Sequence, residues 1–184
     1  GEEAGAALAG HDDVDHISFT GSVPVGETVQ SAAAKNVRPV TLELGGKSPQ
    51  LVFDDANLDA ALPFLVNAGI QNAGQTCSAA SRILVQRSIL EEVTERMAKG
   101  DHRLGPLVSE RQQEIVSGYI DQARSAGLSI AGQGQYVEDL PEGGAYVLPT
   151  LLADVPADHA LAREEVFGPV QAVIVFDTEE EAVS

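Results

Sequence analysis

The chain has 184 residues, 43% of them hydrophobic, and Gly and Pro contribute 18 and 9, a globular composition sized for one ordinary domain or two small ones. Its 11 Lys and Arg against 28 Asp and Glu give a formal charge of −17; such a surface repels a phosphate backbone, so no nucleic-acid partner is expected, and no apolar run approaches the roughly 18 residues of a membrane helix. A single cysteine, Cys77, excludes an internal disulfide framework and a multi-thiolate metal site. The amino end, Gly1-Glu2-Glu3, lacks the positive flank of a signal peptide, so a cytoplasmic location is expected.

In chain order, Val14–Thr20 alternates and runs into Gly21-Ser22, which predicts a strand entering a turn. Pro24 suits the first position of a helix, with Val25, Val29, Ala32 and Ala33 on one face. Val40–Leu44 predicts a second strand, closed at Gly45-Gly46, and the three elements form a strand–helix–strand unit of parallel-sheet type. Gln50–Phe53 is a short strand. Leu58, Leu62, Leu65, Val66 and Ile70 mark a helix in which Pro63 predicts a kink or break, and Gly74 an end. Ser81–Gln86 is a strand. Ser88 with Glu91 and Ser109 with Gln112 are capping-box pairs, opening helices to about Ala98 and Ala126, and Gly127 terminates the second. The stretch 132–144 reads as a surface loop, Val170–Phe176 as a buried strand, and Thr178 with Glu181 as the cap of a last helix. The predicted class is α/β.

Four places could carry chemistry. Cys77 stands among small and polar residues between a helix and a strand. A lone cysteine is most often a small buried hydrophobe, yet Gly74 and Ala79 would let a ligand approach, and turn amides can activate a thiol and bind an oxyanion. Glu43 interrupts an apolar strand at its carboxyl end, where open α/β sheets hold ligands. Either it shares a solvated face with Thr41, or it is a partly desolvated carboxylate suited to general-base work. Gly21-Ser22 with Val25-Gly26 offers a glycine turn at a helix amino terminus, favourable to an anion such as a pyrophosphate, though it lacks the dinucleotide and Walker fingerprints. Glu164-Glu165-Val166-Phe167-Gly168-Pro169 joins paired acids to an aromatic, and its plain reading is a loop with Phe167 as a core plug. His11, His16, His102 and His159 show no metal spacing, and no metal is expected; a Cys–His hydrolase pair would need the fold to bring them together.

Together and in order, Phe19-Thr20-Gly21-Ser22, Leu42-Glu43-Leu44-Gly45-Gly46-Lys47-Ser48-Pro49, Gly74-Gln75-Thr76-Cys77 and Glu164-Glu165-Val166-Phe167-Gly168-Pro169 resemble the aldehyde dehydrogenase superfamily over essentially the whole chain. The resemblance implies a parallel-sheet catalytic domain with the tail of a Rossmann-like dinucleotide domain. It places 1–45 in the carboxyl-terminal part of the dinucleotide-binding domain and 46–184 in an incomplete catalytic domain. It further implies oxidation of an aldehyde to a carboxylic acid with NAD or NADP, with Cys77 as nucleophile and Glu43 as general base. By the same resemblance, Gly21, Ser22 and Gly26 belong to the pyrophosphate turn, Leu44 lies at the nicotinamide, and Glu165 and Phe167 contact the nicotinamide ribose and ring. Relatives that transfer the acyl group to coenzyme A typically lack the glutamate, so Glu43 favours the hydrolytic branch. The expected full-length state is a homo-dimer or homo-tetramer. The upstream oxyanion-hole asparagine and the residues choosing between NAD and NADP are expected outside this sequence, and Arg96–Pro106 reads as shortened against the family's spacing. The rival reading is a folded, non-catalytic fragment or binding member of the same family.

Overall fold

The computed structural model describes residues 2–99, 103–136 and 139–184. Two compact units divide the chain, Gly1–Gly45 and Gly46–Ser184. In the first, helix α1 (Glu2–Gly10) precedes strand β1 (Ile17–Gly21), helix α2 (Val23–Ala34) and strand β2 (Val40–Leu44). β1 and β2 pair in parallel, with Thr20 opposite Glu43 and Gly21 opposite Leu44, as the strand–helix–strand pattern predicts. α2 packs on α1 and on both strands. Gly26 and Ala33 are its buried residues, small enough to let the helix lie close to the sheet.

In the second unit the order is β3 (Pro49–Val52), α3 (Leu58–Ile70), β4 (Arg82–Gln86), α4 (Leu90–Ala98), α5 (Glu110–Ser125), β5 (Ser129–Gln133), β6 (Thr150–Ala153), α6 (Ala160–Arg163), β7 (Val170–Phe176) and α7 (Glu179–Val183). The sheet order is β3-β4-β7-β6-β5. Every neighbouring pair is parallel except the edge pair β5–β6, which is antiparallel. One core layer sets Leu62, Leu65, Val93 and Met97 of α3 and α4 against Ile83, Val85 and Val173. The other sets Val116, Ile120 and Ala123 of α5, with Leu161, against Leu152, Ala172 and Ile174. Successive β7 residues thus face opposite layers, and the whole strand is apolar apart from Gln171, as a strand covered on both faces must be.

Several expectations change. Pro63 breaks nothing: α3 runs from Leu58 to Ile70 around it, with Asn57 accepting from the Ala60 amide as N-cap. The helix ends at Ile70, short of Gly74, because Asn72, Ala73 and Gly74 take left-handed backbone angles (φ 52°, 53° and 73°). The Ser88 capping box does not form. A short 3₁₀ turn over Arg87–Ile89 precedes α4, whose cap residue is Ile89, and the Ser88 hydroxyl bonds Asp54 instead (3.3 Å). Ser109 and Thr178 do cap their helices, and Gly127 is left-handed as a terminator (φ 79°). The predicted loop 132–144 begins inside β5, so Gly132 and Gln133 belong to a strand; the loop's Val137 and Glu138 lie outside the described residues.

Candidate active site

Parallel pairing of β3, β4 and β7 brings the segments entering those strands to one edge of the sheet. Those segments are Gly46–Ser48, Gln75–Ser81 and Glu164–Pro169, about 30 and 90 positions apart in sequence and adjacent for purely topological reasons. Cys77 is exposed, which removes the buried-hydrophobe alternative. It sits in a turn closed by the Ala79 amide on the Thr76 carbonyl (3.0 Å), a geometry that leaves the two central amides available as donors.

The thiol turn is fixed on three sides. Upstream, Gln75 receives the Val108 amide on Oε1 (2.8 Å) and donates to the Asn72 carbonyl (3.0 Å), while Asn72 donates back to the Gln75 carbonyl (3.0 Å). From the β3 side, the Ser48 hydroxyl reaches the Cys77 carbonyl (3.5 Å). Gly74 then meets the Glu164–Pro169 segment directly. A Cβ on Gly74 would stand 2.1 Å from the Gly168 carbonyl oxygen, so only glycine lets the two backbones approach this closely.

On the facing segment Val166 is buried and Phe167 is 38% exposed. Phe167 is therefore no core plug; its left-handed backbone (φ 53°) turns the ring outward while Val166 fills the core. Gln112 holds that conformation, donating from Nε2 to the carbonyls of Val166 (3.0 Å) and Phe167 (3.1 Å). As half of a predicted capping box, Gln112 supplies only its amide to Ser109 (3.2 Å); its side chain serves the loop.

Charge collects beside the same edge. Glu165 is half-buried, and its Oε1 has no hydrogen-bond partner among the described residues. Burial pushes the Lys47 ammonium down to about 8, Arg82 adds to this, and Glu165 and Glu164 oppose it. Tyr119 on α5 donates to Glu164 Oε2 (2.6 Å); burial first and that bond second push its hydroxyl up to about 12. Lys47, Gln112 and Tyr119 had no site role in the sequence reading. Only Lys47 carried a signal, its place inside the Gly-Gly-Lys-Ser-Pro stretch.

In the first unit the remaining candidates share the carboxyl edge of β1 and β2. Glu43 and Thr41 are both exposed, so of the two readings of Glu43 the solvated face matches its placement and the partly desolvated carboxylate does not. Ser22, the N-cap of α2, makes no side-chain cap bond, and Pro24 occupies the first turn, which leaves first-turn amides free for an anion. Leu44 lies over Gly26, where an added Cβ would be 2.7 Å from its Cδ2. Among histidines, His159 caps α6 through Nδ1, His16 bonds Thr41, and His102 lies outside the described residues.

The aldehyde dehydrogenase family model matches residues 1–184. Aminoaldehyde dehydrogenase 1 of Pisum sativum, a peroxisomal protein, is 45% identical over all of this chain and 39% of its own length. A solved Burkholderia cenocepacia chain assigned to the aldehyde dehydrogenases is 52% identical with a TM-score of 0.96, over all of this chain and 41% of its own. Betaine aldehyde dehydrogenase of Staphylococcus aureus, solved in complex with NAD+, is 37% identical with a TM-score of 0.91, over all of this chain and 39% of its own. The chain thus spans about two fifths of the length of these relatives. A match along every residue, in sequence and in fold, establishes that the chain belongs to the aldehyde dehydrogenase family.

Proposed function

We propose that this chain carries the thiol and carboxylate of a hydrolytic, NAD- or NADP-dependent aldehyde dehydrogenase. The observation that carries the reading is the exposed Cys77, three residues beyond Gly74, whose backbone packs directly on Gly168 and Pro169 at the end of the Glu164–Pro169 segment. In this reading residues 1–45 end the dinucleotide-binding domain and 46–184 form the thiol-bearing part of the catalytic domain. The Cys77 thiolate adds to the aldehyde carbonyl carbon, and the turn amides donate to the resulting oxyanion. A bound nicotinamide dinucleotide supplies the hydride acceptor. Once oxidised, the acyl group is a Cys77 thioester, and Glu43 removes a proton from the water that hydrolyses it. Sulfur suits both halves, as a strong nucleophile near neutral pH and a good leaving group.

Each unit, taken by itself, carries groups that suit part of a dinucleotide. Glu165 Oε1 is a buried acceptor without a partner among the described residues, which a ribose hydroxyl would satisfy, and Phe167 offers an exposed ring. The open first turn of α2 behind Gly21, Ser22 and Gly26 would suit the pyrophosphate, and Leu44 would lie at the nicotinamide. The test is dinucleotide reduction by the intact enzyme with an aldehyde panel that includes aminoaldehydes and betaine aldehyde, the classes named in the relatives. Cys77→Ala abolishes reduction. Glu43→Gln keeps a single-turnover burst and stalls thereafter; normal turnover in Glu43→Gln removes that residue from the role.

A further inference from the structure

Gln171 is the one polar side chain on the otherwise apolar strand β7, and it is 5% exposed. A buried amide on a central strand is costly without partners. Its Nε2 donates to the carbonyls of Leu65 on α3 (3.0 Å) and of Ala80, three residues beyond Cys77 (2.9 Å). The same Ala80 donates its own amide to the Ala68 carbonyl of α3 (3.1 Å). Space for the side chain comes from Gly69, where a Cβ would stand 2.0 Å from Gln171 Nε2 and 2.3 Å from its Cδ. Ala80, just downstream of the thiol turn, is therefore held to α3 directly by its own amide and indirectly through Gln171, a β7 residue 91 positions away that also bonds Leu65.

We propose that Gln171 is a positioning residue for Cys77: its amide, seated in the Gly69 notch, ties Ala80 to α3 and so fixes where the thiol turn sits. The proposal rests on the reading of Cys77 as the nucleophile. Gln171→Met keeps the shape of the side chain and removes both donors. Gly69→Ala keeps the donors but drives a methyl into them, and alanine is a better helix residue than glycine, so it harms α3 in no other way. Both changes act on one pair of bonds, and their effects are not additive.

The experiment uses the intact enzyme and its Gln171→Met, Gly69→Ala and doubly substituted forms. Steady-state kinetics are read beside amide hydrogen exchange of the segment 75–81. Each single variant lowers kcat roughly tenfold, leaves KM for the dinucleotide within about twofold, and speeds exchange in that segment roughly tenfold, the scale of one lost buried hydrogen bond. Exchange in α5 is unchanged, and the double variant is no worse than either single one. Additive losses, or exchange raised evenly through the sheet, reduce Gln171 to a packing residue and overturn the proposal. Wild-type kcat in a folded Gln171→Met or Gly69→Ala enzyme also overturns it. The exchange measurement reads the tether whether or not Cys77 reacts, while activity retained by Cys77→Ala would defeat the functional reading separately.

Discussion

Gly74→Ala is the sharpest perturbation of the contact between the segment leading into Cys77 and the Gly168–Pro169 end of the facing loop. Gly74 has φ +73°, and a Cβ there would lie 2.1 Å from the Gly168 oxygen and 2.3 Å from its carbonyl carbon. Both obstacles are backbone, so no rotamer change relieves them. An ordinary contact begins near 3.4 Å, and the two segments must part by more than about 1 Å to admit the methyl, a displacement that can cost a reaction about 100-fold when it falls on the reacting group. The left-handed backbone costs an alanine about 1–2 kcal/mol, and overpacking adds about 1–3 kcal/mol. A loss of roughly 2–5 kcal/mol lowers Tm by about 4–20 °C for a chain of this size. Thermal unfolding by circular dichroism and dinucleotide reduction measure the two effects. Gly46→Ala is the control: it borders the same turn, yet its Cβ would lie 3.9 Å from the Cys77 carbonyl oxygen with no strained φ, and it stays within about 1 kcal/mol of wild type. Wild-type stability and activity in Gly74→Ala, or equal damage from Gly46→Ala, would refute the reasoning.

Two further outcomes follow from the charges and the loop clamp. Lys47 is held at about 8 in the folded chain against 10.5 for a free lysine, so between those values the unfolded chain binds the extra proton and stability rises with pH. The rise approaches about 3 kcal/mol by pH 10.5 at about 1.4 kcal/mol per unit, and below pH 8 this contribution is flat. Urea midpoints from pH 7 to 10 show the rise in wild type and a flatter profile in Lys47→Met; identical profiles contradict the assignment. Gln112→Met releases the carbonyls of Val166 and Phe167, costs about 1–3 kcal/mol of stability and raises KM for the dinucleotide more than it lowers kcat. An unchanged dinucleotide KM would show that the clamp does not hold the cofactor loop.

The elements legible in the sequence were those whose signal is local. β2 and β7 follow from an apolar run bounded by turn residues, and α5 and α7 from Ser109 and Thr178, which do cap them. β6 has four residues, its first three buried, too short and too uniform to show a period. β5 carries Gly132, a residue that ordinarily argues for a turn; it is required here because a Cβ would stand 2.8 Å from that of Ala98. α1 is rich in small residues and buries only Ala9, so it shows little amphipathic stripe, and α6 is a single turn capped by His159. The Ser88 box failed because a tertiary acceptor, Asp54, competes for the hydroxyl.

At the site, Cys77, Glu43, Glu165 and Phe167 were visible because each sits in a contiguous motif. Gln112 and Gln171 were not, since their partners lie 54 and 91 positions away, and a glutamine read alone gives no hint of which distant carbonyl it will meet. Lys47 stands in a legible motif but its environment is not legible there, because the arginine and carboxylates acting on it come from chain far downstream.

The proposed oxidation requires that Cys77 become acylated and that Glu43 release the acyl group. The most direct measurement is mass spectrometry of Glu43→Gln enzyme quenched after exposure to an aldehyde and NAD or NADP. An acyl mass increment on the peptide carrying Cys77, absent without dinucleotide and discharged by the wild-type enzyme, is the predicted result. Reduced dinucleotide formed with no increment on Cys77, or with the increment on another residue, would contradict it.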